Sequence, residues 1–243
     1  MKIIYSELFK EYPELVFGIS TKEGGVSEPP YFMNMGLSVG DNEKFVHLNR
    51  RLFLKELSLE PENVTFQKQI HSDNINYVNG QKFFPDSDAL YSDKQGVFLA
   101  VMIADCAPVF LYDPVKKVVA GIHSGWMGAK SNITGKTISE LKEKHGSEPK
   151  DIIAFVGPCI SVKNYEVGEE FNLHFGKESI ETRNDKYFLD LKKIIFDQLK
   201  EAGLKKKNIE ISEYCTFEDE KLFHSHRRES GMTGRMMGII GIR

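Results

Sequence analysis

Cysteine is scarce in this chain: Cys106, Cys159 and Cys215 are the only 3 among 243 residues. An odd number at wide separations excludes a complete disulfide framework and points to a reducing, cytoplasmic compartment where thiols stay free for chemistry. Long apolar runs are missing as well. Nowhere do the roughly 18 consecutive apolar residues of a membrane helix occur, and the opening Met1-Lys2-Ile3-Ile4-Tyr5-Ser6-Glu7 meets an acidic residue too early to read as a signal peptide. No charge of one sign dominates. The 32 basic and 35 acidic residues leave a net charge of -3, which provides no general basic footprint for nucleic acid or anionic lipid. The one notable run, Lys205-Lys206-Lys207, reads as a solvated turn at a helix end.

Several catalytic signatures are absent too. Neither G-x-x-x-x-G-K-[ST] nor G-x-G-x-x-G occurs, which argues against P-loop and dinucleotide chemistry. Gly121 to Gly125 reads G-x-x-S-G, so Ser124 is no hydrolase nucleophile elbow. The zinc nucleobase deaminase signature fails because His71-Ser72-Asp73 lacks the glutamate and Pro158-Cys159 lacks the second cysteine.

What is present is a chain with 41% apolar residues, long enough to bury a core without staples. Short apolar runs at 15–20, 64–66, 75–78, 97–104, 109–112, 118–122, 152–156, 208–212 and 236–242 read as strands. The run at 97–104 is apolar throughout, as a strand covered on both faces requires. Asp41-Asn42 can cap a helix running to about Leu57 with Phe45, Leu48, Leu52 and Phe53 as its apolar positions. Gly125 opens a segment that becomes helical to about Lys144 and stops at Gly146, and further helices are expected near 166–175 and 190–202. Strands and helices interleave without a regular βαβ rhythm. The expected fold is therefore α+β, with mixed β-sheets flanked by helices in a single compact domain over residues 1–243.

His71, Cys106 and His123 each stand beyond one of the strand-like runs, at 64–66, 97–104 and 118–122. If those runs share a sheet, two imidazoles and a thiolate meet at one end of it, a donor set that suits zinc or copper. Three protein ligands leave a fourth position open for water or substrate, as catalytic sites do. Spacing alone does not require a metal. A lone buried cysteine is usually a small hydrophobe, which is the reading given to Cys159 and Cys215, and the same trio suits a Cys-His nucleophile and base. The surroundings favour a site. Asp105-Cys106-Ala107-Pro108 breaks an apolar run abruptly, and Gly121, Gly125 and Gly128 around His123 let backbone approach a ligand. Amides opening the following helix can hold an anion such as phosphate.

Gln69-Ile70-His71, Ala104-Asp105-Cys106-Ala107-Pro108-Val109 and His123-Ser124-Gly125-Trp126 stand in order with further motifs. Thr21, Gly24-Gly25-Val26-Ser27, Asn34, Gly36, Gly40-Asp41 and Asn49-Arg50-Arg51 precede them. Gly157-Pro158, Tyr165-Glu166-Val167-Gly168, Cys215-Thr216, Arg227-Arg228 and Thr233-Gly234-Arg235 follow. The series resembles the YfiH-like family, also called the multicopper polyphenol oxidase or laccase-domain family, from about residue 15 onward.

The resemblance implies a single-domain α+β fold with a Zn2+ or Cu2+ site at His71, Cys106 and His123. It implies phosphorolysis of purine nucleosides (adenosine, inosine, guanosine, methylthioadenosine) with adenosine deaminase as a side activity. The family's older name implies copper-dependent oxidation of phenols instead, and some relatives are linked to editing of peptidoglycan precursors. Nucleoside and phosphate are then the partners, with no nucleic acid and no membrane. On this reading Asp105 is the candidate proton carrier beside Cys106 and His123, and Asn34 and Gln69 are candidate contacts to base or ribose. Met127, Ser124 and Ser72 depart from the arginine, alanine and glycine common among relatives. With no cation at Met127, Arg50, Arg228 and the amides after Gly125 remain to hold phosphate.

Overall fold

The structure, a computed structural model, describes every residue from Met1 to Arg243. Two six-stranded mixed sheets lie face to face, with helices on their outer surfaces. The first has the order β1-β2-β15-β7-β3-β5, from β1 (Ile3–Ile4), β2 (Leu15–Ser20), β3 (Val64–Gln67), β5 (Phe83–Phe84), β7 (Phe98–Ile103) and β15 (Met236–Ile242). The second has the order β14-β10-β8-β9-β6-β4, from β4 (Ile75–Tyr77), β6 (Ala89–Ser92), β8 (Ala107–Asp113), β9 (Val118–Ser124), β10 (Ile153–Val156) and β14 (Ile209–Ile211). A small third sheet joins β11 (Glu166–Val167), β13 (Lys186–Leu189) and β12 (Ile180–Arg183). The helices are α1 (Glu43–Glu56), α2 (Trp126–Lys130), α3 (Ile133–His145) and α4 (Leu191–Glu201).

The period of two along a strand divides the interior into three apolar layers. On β7, Phe98, Ala100 and Met102 pack with Phe53 and Leu54 of α1, whereas Leu99, Val101 and Ile103 face the second sheet. On β8, Phe110 and Tyr112 point between the sheets, and Val109 and Leu111 meet Ile138 and Leu141 of α3 and Ile195 and Leu199 of α4. A strand buried on both faces has no room for polar residues, and that accounts for the unbroken apolar run at 97–104. Between the sheets Phe17 makes edge contacts with Phe110 at 5.0 Å and Phe155 at 5.3 Å. Gly238 permits this packing, because a Cβ there would lie 2.4 Å from the Phe110 ring.

Several local expectations are corrected. Helix α1 starts where its cap predicts, with Asn42 accepting from the Lys44 amide, but its inner stripe is Val46, Asn49, Phe53 and Leu54, while Phe45 and Leu48 face solvent. Asn49 hides this stripe from a hydrophobic pattern: it is buried because its amide binds Val26, Ser27, Phe32 and Asn34. The expected helix from Gly125 breaks at Asn132, which adopts φ 55 and caps α3 through the Gly135 amide. The segment 166–175 forms β11 and a 3-10 turn in place of a helix. Strands β5, β6, β12 and β13 were not foreseen. They are short, and Lys, Asp and Glu residues around them blur the alternation.

Candidate metal centre

The three donor residues do gather, but by a different route from the one their spacing suggests. Strands β3 and β7 belong to one sheet and β9 to the other, so the strand ends do not share a sheet. They meet at one rim of the sandwich where both sheets end. His71 lies in the loop after β3 at φ 60, and Cys106 follows Asp105 (φ 84) in the turn from β7 to β8. His123 is within β9 rather than beyond it. The β8–β9 register pairs Pro108 with His123 and Ala107 with Ser124, and one further step sets Cys106 opposite Gly125.

The donor atoms of His71, Cys106 and His123 all lie within 4.8 Å of one another. The Cys106 Sγ is 3.9 Å from His71 Nε2, and the two imidazoles stand 4.9 Å apart at 80°. Tetrahedral zinc, with bonds of about 2.0 Å to nitrogen and 2.3 Å to sulfur, needs sulfur–nitrogen separations of about 3.5 Å. The trio therefore fits an ion with small side-chain adjustments. His123 is buried, Cys106 is half-buried and His71 is exposed, so a fourth coordination position can face the open side.

Gly125 keeps the space clear. A Cβ at this position would lie 2.8 Å from the Cys106 Sγ and 3.2 Å from the His71 ring. Gly125→Ala is accordingly expected to weaken zinc binding at least about tenfold, the scale found when the surroundings of metal ligands are disturbed. Chelator competition on the purified variant measures this, and wild-type affinity would show that the glycine serves only the turn.

The buried carboxylate of Asp88 supports the site from beneath. Its Oδ1 accepts from His123 Nδ1 at 2.8 Å and from the His71 amide at 3.1 Å. Its Oδ2 accepts from the Ile70 amide, the Ser72 amide and the Ser72 hydroxyl. One side chain thus leaves His123 Nε2 free for a ligand and folds the His71 loop, as carboxylates behind metal-binding histidines do. Burial alone would raise the Asp88 carboxyl, but the bonds from His123 and Ser72 outweigh it and hold it at about 2. Burial likewise pushes the Cys106 thiol up, yet His123 and His71 bring it down to about 6. Burial works against charge on His123, and Cys106 and Asp88 together raise it to about 9.

Asp105 also belongs to this rim. Its carboxylate accepts from the Thr216 hydroxyl, the Ser225 hydroxyl and the Arg227 amide, at 2.6, 3.0 and 2.6 Å. Its carbonyl accepts from the Ile160 amide. These bonds anchor the left-handed turn that presents Cys106.

The trio opens into a cavity of about 820 Å3. Arg50, Gln69 and Met127 line it, whereas Asn34 and Arg228 do not. Arg50 keeps both terminal nitrogens free, since its Nε binds the Met35 carbonyl and its guanidinium lies 4.4 Å over the Phe66 ring. Gln69 uses its amide as a strand would, giving to the Met102 carbonyl and accepting from the Met102 amide. Asn34 is fully buried, bound to Gly36, Asp41 and Arg235, so it shapes the rim without touching a ligand. Arg228 spends its guanidinium on Glu229 and on the carbonyls of Thr216, Phe217 and Phe223, and it has nothing left for phosphate. Helix α2, which begins after Gly125, has only 5 residues, so its dipole adds little to anion binding.

Residues that the sequence reading did not single out as site groups complete the cavity: Tyr165, Trp126, Arg227 and Arg235. All four stand in the ordered motifs of the sequence, where no role was assigned to them. Asp88 carried one faint signal, a carboxylate ending a polar loop just before the apolar run at 89–92.

Fold and cavity define a two-sheet α+β protein with a His-Cys-His site suited to a borderline-soft metal. The family model described as multi-copper polyphenol oxidoreductase laccase matches residues 16–243. The chain belongs to this laccase-domain family, which includes the YfiH-like proteins. Purine nucleoside phosphorylase YlmD of Bacillus subtilis (strain 168) is 34% identical, over 95% of this chain and 89% of the relative. Purine nucleoside phosphorylase YfiH of Escherichia coli (strain K12) is 31% identical, over 91% of each. Among solved structures, the Bacillus licheniformis hypothetical protein YfiH superposes with a TM-score of 0.92 at 34% identity, over 99% of this chain and 96% of its own. YlmD from Geobacillus stearothermophilus gives 0.91 at 34% identity, over 98% and 94%.

Proposed function

We propose that this protein is a metal-dependent purine nucleoside phosphorylase acting on adenosine, inosine, guanosine and methylthioadenosine, with adenosine deaminase as a side activity. The observation that carries the reading is the His71–Cys106–His123 cluster opening into a cavity that also holds guanidinium groups and aromatic rings. A zinc or copper ion held by these three residues would supply Lewis-acid stabilisation of negative charge.

The chain's own groups divide the remaining work. Phe66, Trp126 and Tyr165 offer aromatic faces for a purine. Arg50 and Arg235 both abut the 34–36 segment, Arg50 through its bond to the Met35 carbonyl and Arg235 through its backbone bonds to Met35 and Asn34. We assign inorganic phosphate to this pair, in place of the expected Arg228. Asp105 holds the Cys106 turn, and Asp88 holds both histidines. Attack of a phosphate oxygen at the anomeric carbon then releases the base as the glycosidic bond breaks.

Purified protein incubated with each nucleoside, with and without inorganic phosphate, tests this by chromatography. Free base and a sugar phosphate should appear only with phosphate, and inosine should appear slowly from adenosine. Adenosine left intact at every phosphate concentration would end the proposal.

A second reading, a Cys-His hydrolase or amidase such as one editing peptidoglycan precursors, draws support from the lowered Cys106 thiol. Metal analysis separates the two, since stoichiometric zinc bound through Cys106 leaves no free nucleophile. Copper-dependent phenol oxidation, implied by the family description, draws less support. The three-donor cluster is the one group of its kind, and the sequence holds one His-x-His pair of the sort that multicopper sites repeat, His224-Ser225-His226, in which His224 is buried with its Nδ1 on the Thr233 hydroxyl. Oxygen uptake with a phenol, in copper-loaded protein stripped of free copper, is the measurement that would revive it.

A further inference from the structure

Tyr165 brings to the cavity a polar atom that the chain itself does not use. The residue lines the cavity half-buried, and its hydroxyl forms no hydrogen bond with another group of the protein. The buried Tyr91 and Tyr112, by contrast, are bonded to Glu140 and Glu14. A phenol taken out of water usually finds a partner, so the free Tyr165 hydroxyl asks for one from a ligand. Burial pushes this phenol up, and the charges of Cys106 and Asp105 push it the same way against the pull of Arg227. At neutral pH it therefore keeps its proton and is available as a donor.

Two routes fix this ring beside the metal ligands. Along the first, the Asp105 carbonyl accepts from the Ile160 amide, the Ser161 carbonyl accepts from the Tyr165 amide, and the Tyr165 carbonyl accepts from the Leu189 amide. Along the second, the Arg227 amide donates to the Asp105 carboxylate at 2.6 Å, while its guanidinium lies 5.3 Å over the Tyr165 ring and donates to the Glu166 carbonyl. Both routes begin at Asp105, the residue before Cys106. The ring and the thiol are thus anchored to one turn, which is what a preorganised donor requires. Gln69 differs, since its amide is spent on Met102.

We propose that Tyr165 is a catalytic residue whose hydroxyl donates a hydrogen bond to the departing purine. The proposal rests on the phosphorolysis reading and adds a residue to it. The glycosidic carbon–nitrogen bond breaks with its electron pair going to the purine, and a phosphate oxygen bonds to the anomeric carbon. The proton of hydrogen phosphate ends on the base, giving free purine and ribose 1-phosphate. Until that proton arrives, the ring nitrogens of the base carry growing negative charge. A fixed donor facing them favours the transition state over the bound nucleoside, the condition for raising kcat. Tyr165 keeps its own proton throughout.

Tyr165→Phe in the zinc-loaded protein, assayed at saturating phosphate with leaving groups of different need, provides the test. The variant loses one oxygen that bonds to nothing in the chain, so its melting temperature and zinc content should match wild type. With guanosine, kcat should fall about 100-fold, the scale of one lost donor to a developing charge. The base of 7-methylguanosine carries a positive charge and leaves without building up a negative one, so its kcat should change less than about threefold. For 6-chloropurine riboside, whose base is the stronger acid, the fall should lie between the two. An equal fall with all three substrates overturns the proposal, because the residue would then only shape the cavity. An undiminished kcat with guanosine overturns it as well, and so does loss of zinc from the folded variant. If wild-type protein cleaves the nucleosides and the variant matches it, this inference alone fails. Wild-type protein that cleaves none of them with phosphate sinks the phosphorylase reading too.

Discussion

Cys106→Ala is expected to abolish stoichiometric zinc or copper binding and to reduce phosphate-dependent cleavage of adenosine by at least about 10³-fold, the several kcal/mol that a Lewis-acid ion contributes to a transition state. The thiolate is the anionic member of the donor set, so its removal leaves two neutral imidazoles and an ion with little to hold it. Folding should survive, because Cys106 is only half-buried and its turn is held by Asp105. Elemental analysis after dialysis, turnover by chromatography and a thermal melt measure the three effects. In metal-free wild-type protein the thiol held at about 6 should react with iodoacetamide readily at pH 7, and zinc should protect it. Full metal content and full turnover in the alanine variant would remove Cys106 from the site.

Asp88→Asn ranks second in expected effect. The substitution preserves shape but replaces one carboxylate oxygen with an NH2 group facing N–H donors. Either the His123 and His71 side or the Ile70 and Ser72 side then loses its acceptor. Zinc affinity should fall about 10- to 100-fold, as it does when the partner of a metal-binding histidine is removed. The metal-free protein should lose about 2–3 kcal/mol, the cost of buried donors left unpaired. Chelator competition and urea unfolding read the two losses separately. Ser72→Ala removes one of the five donors and leaves the others in place, so it should cost much less on both scales.

The sign of the acid dependence follows from the same group. The Asp88 carboxyl is depressed to about 2 in the folded protein, so its contribution to stability is present above the unfolded value of about 4 and fades as pH falls through about 2. Asp88→Asn should flatten that part of the acid unfolding curve.

Much of this architecture was legible because it depends on local pattern. The run at 97–104 reads as a doubly covered strand, and β7 lies inside the first sheet with both faces packed. Asn42 marks the start of α1 and Gly146 the end of α3, since caps act through neighbouring amides. Asn49 shows where such reading stops. A polar residue joins an apolar stripe when the backbone groups of a distant loop come to meet its amide, and no window along α1 contains that loop. The hydrogen bonds of Asn34, Gln69 and Arg228 lie outside local pattern for the same reason. Each is polar and well placed in sequence, and each is engaged by groups brought to it in space.

The sequence by itself determined the donor set, the glycine beside it, the free thiols and the strands that carry them, because residue type and short-range periodicity encode those properties directly. Only the tertiary structure decided that the donors come from two facing sheets, that Asp88 lies beneath both histidines, and which arginines keep free N–H groups. Those outcomes depend on register and on contacts between segments 16 to 122 residues apart, and hydrogen bonds over such distances follow from the packing of the whole core.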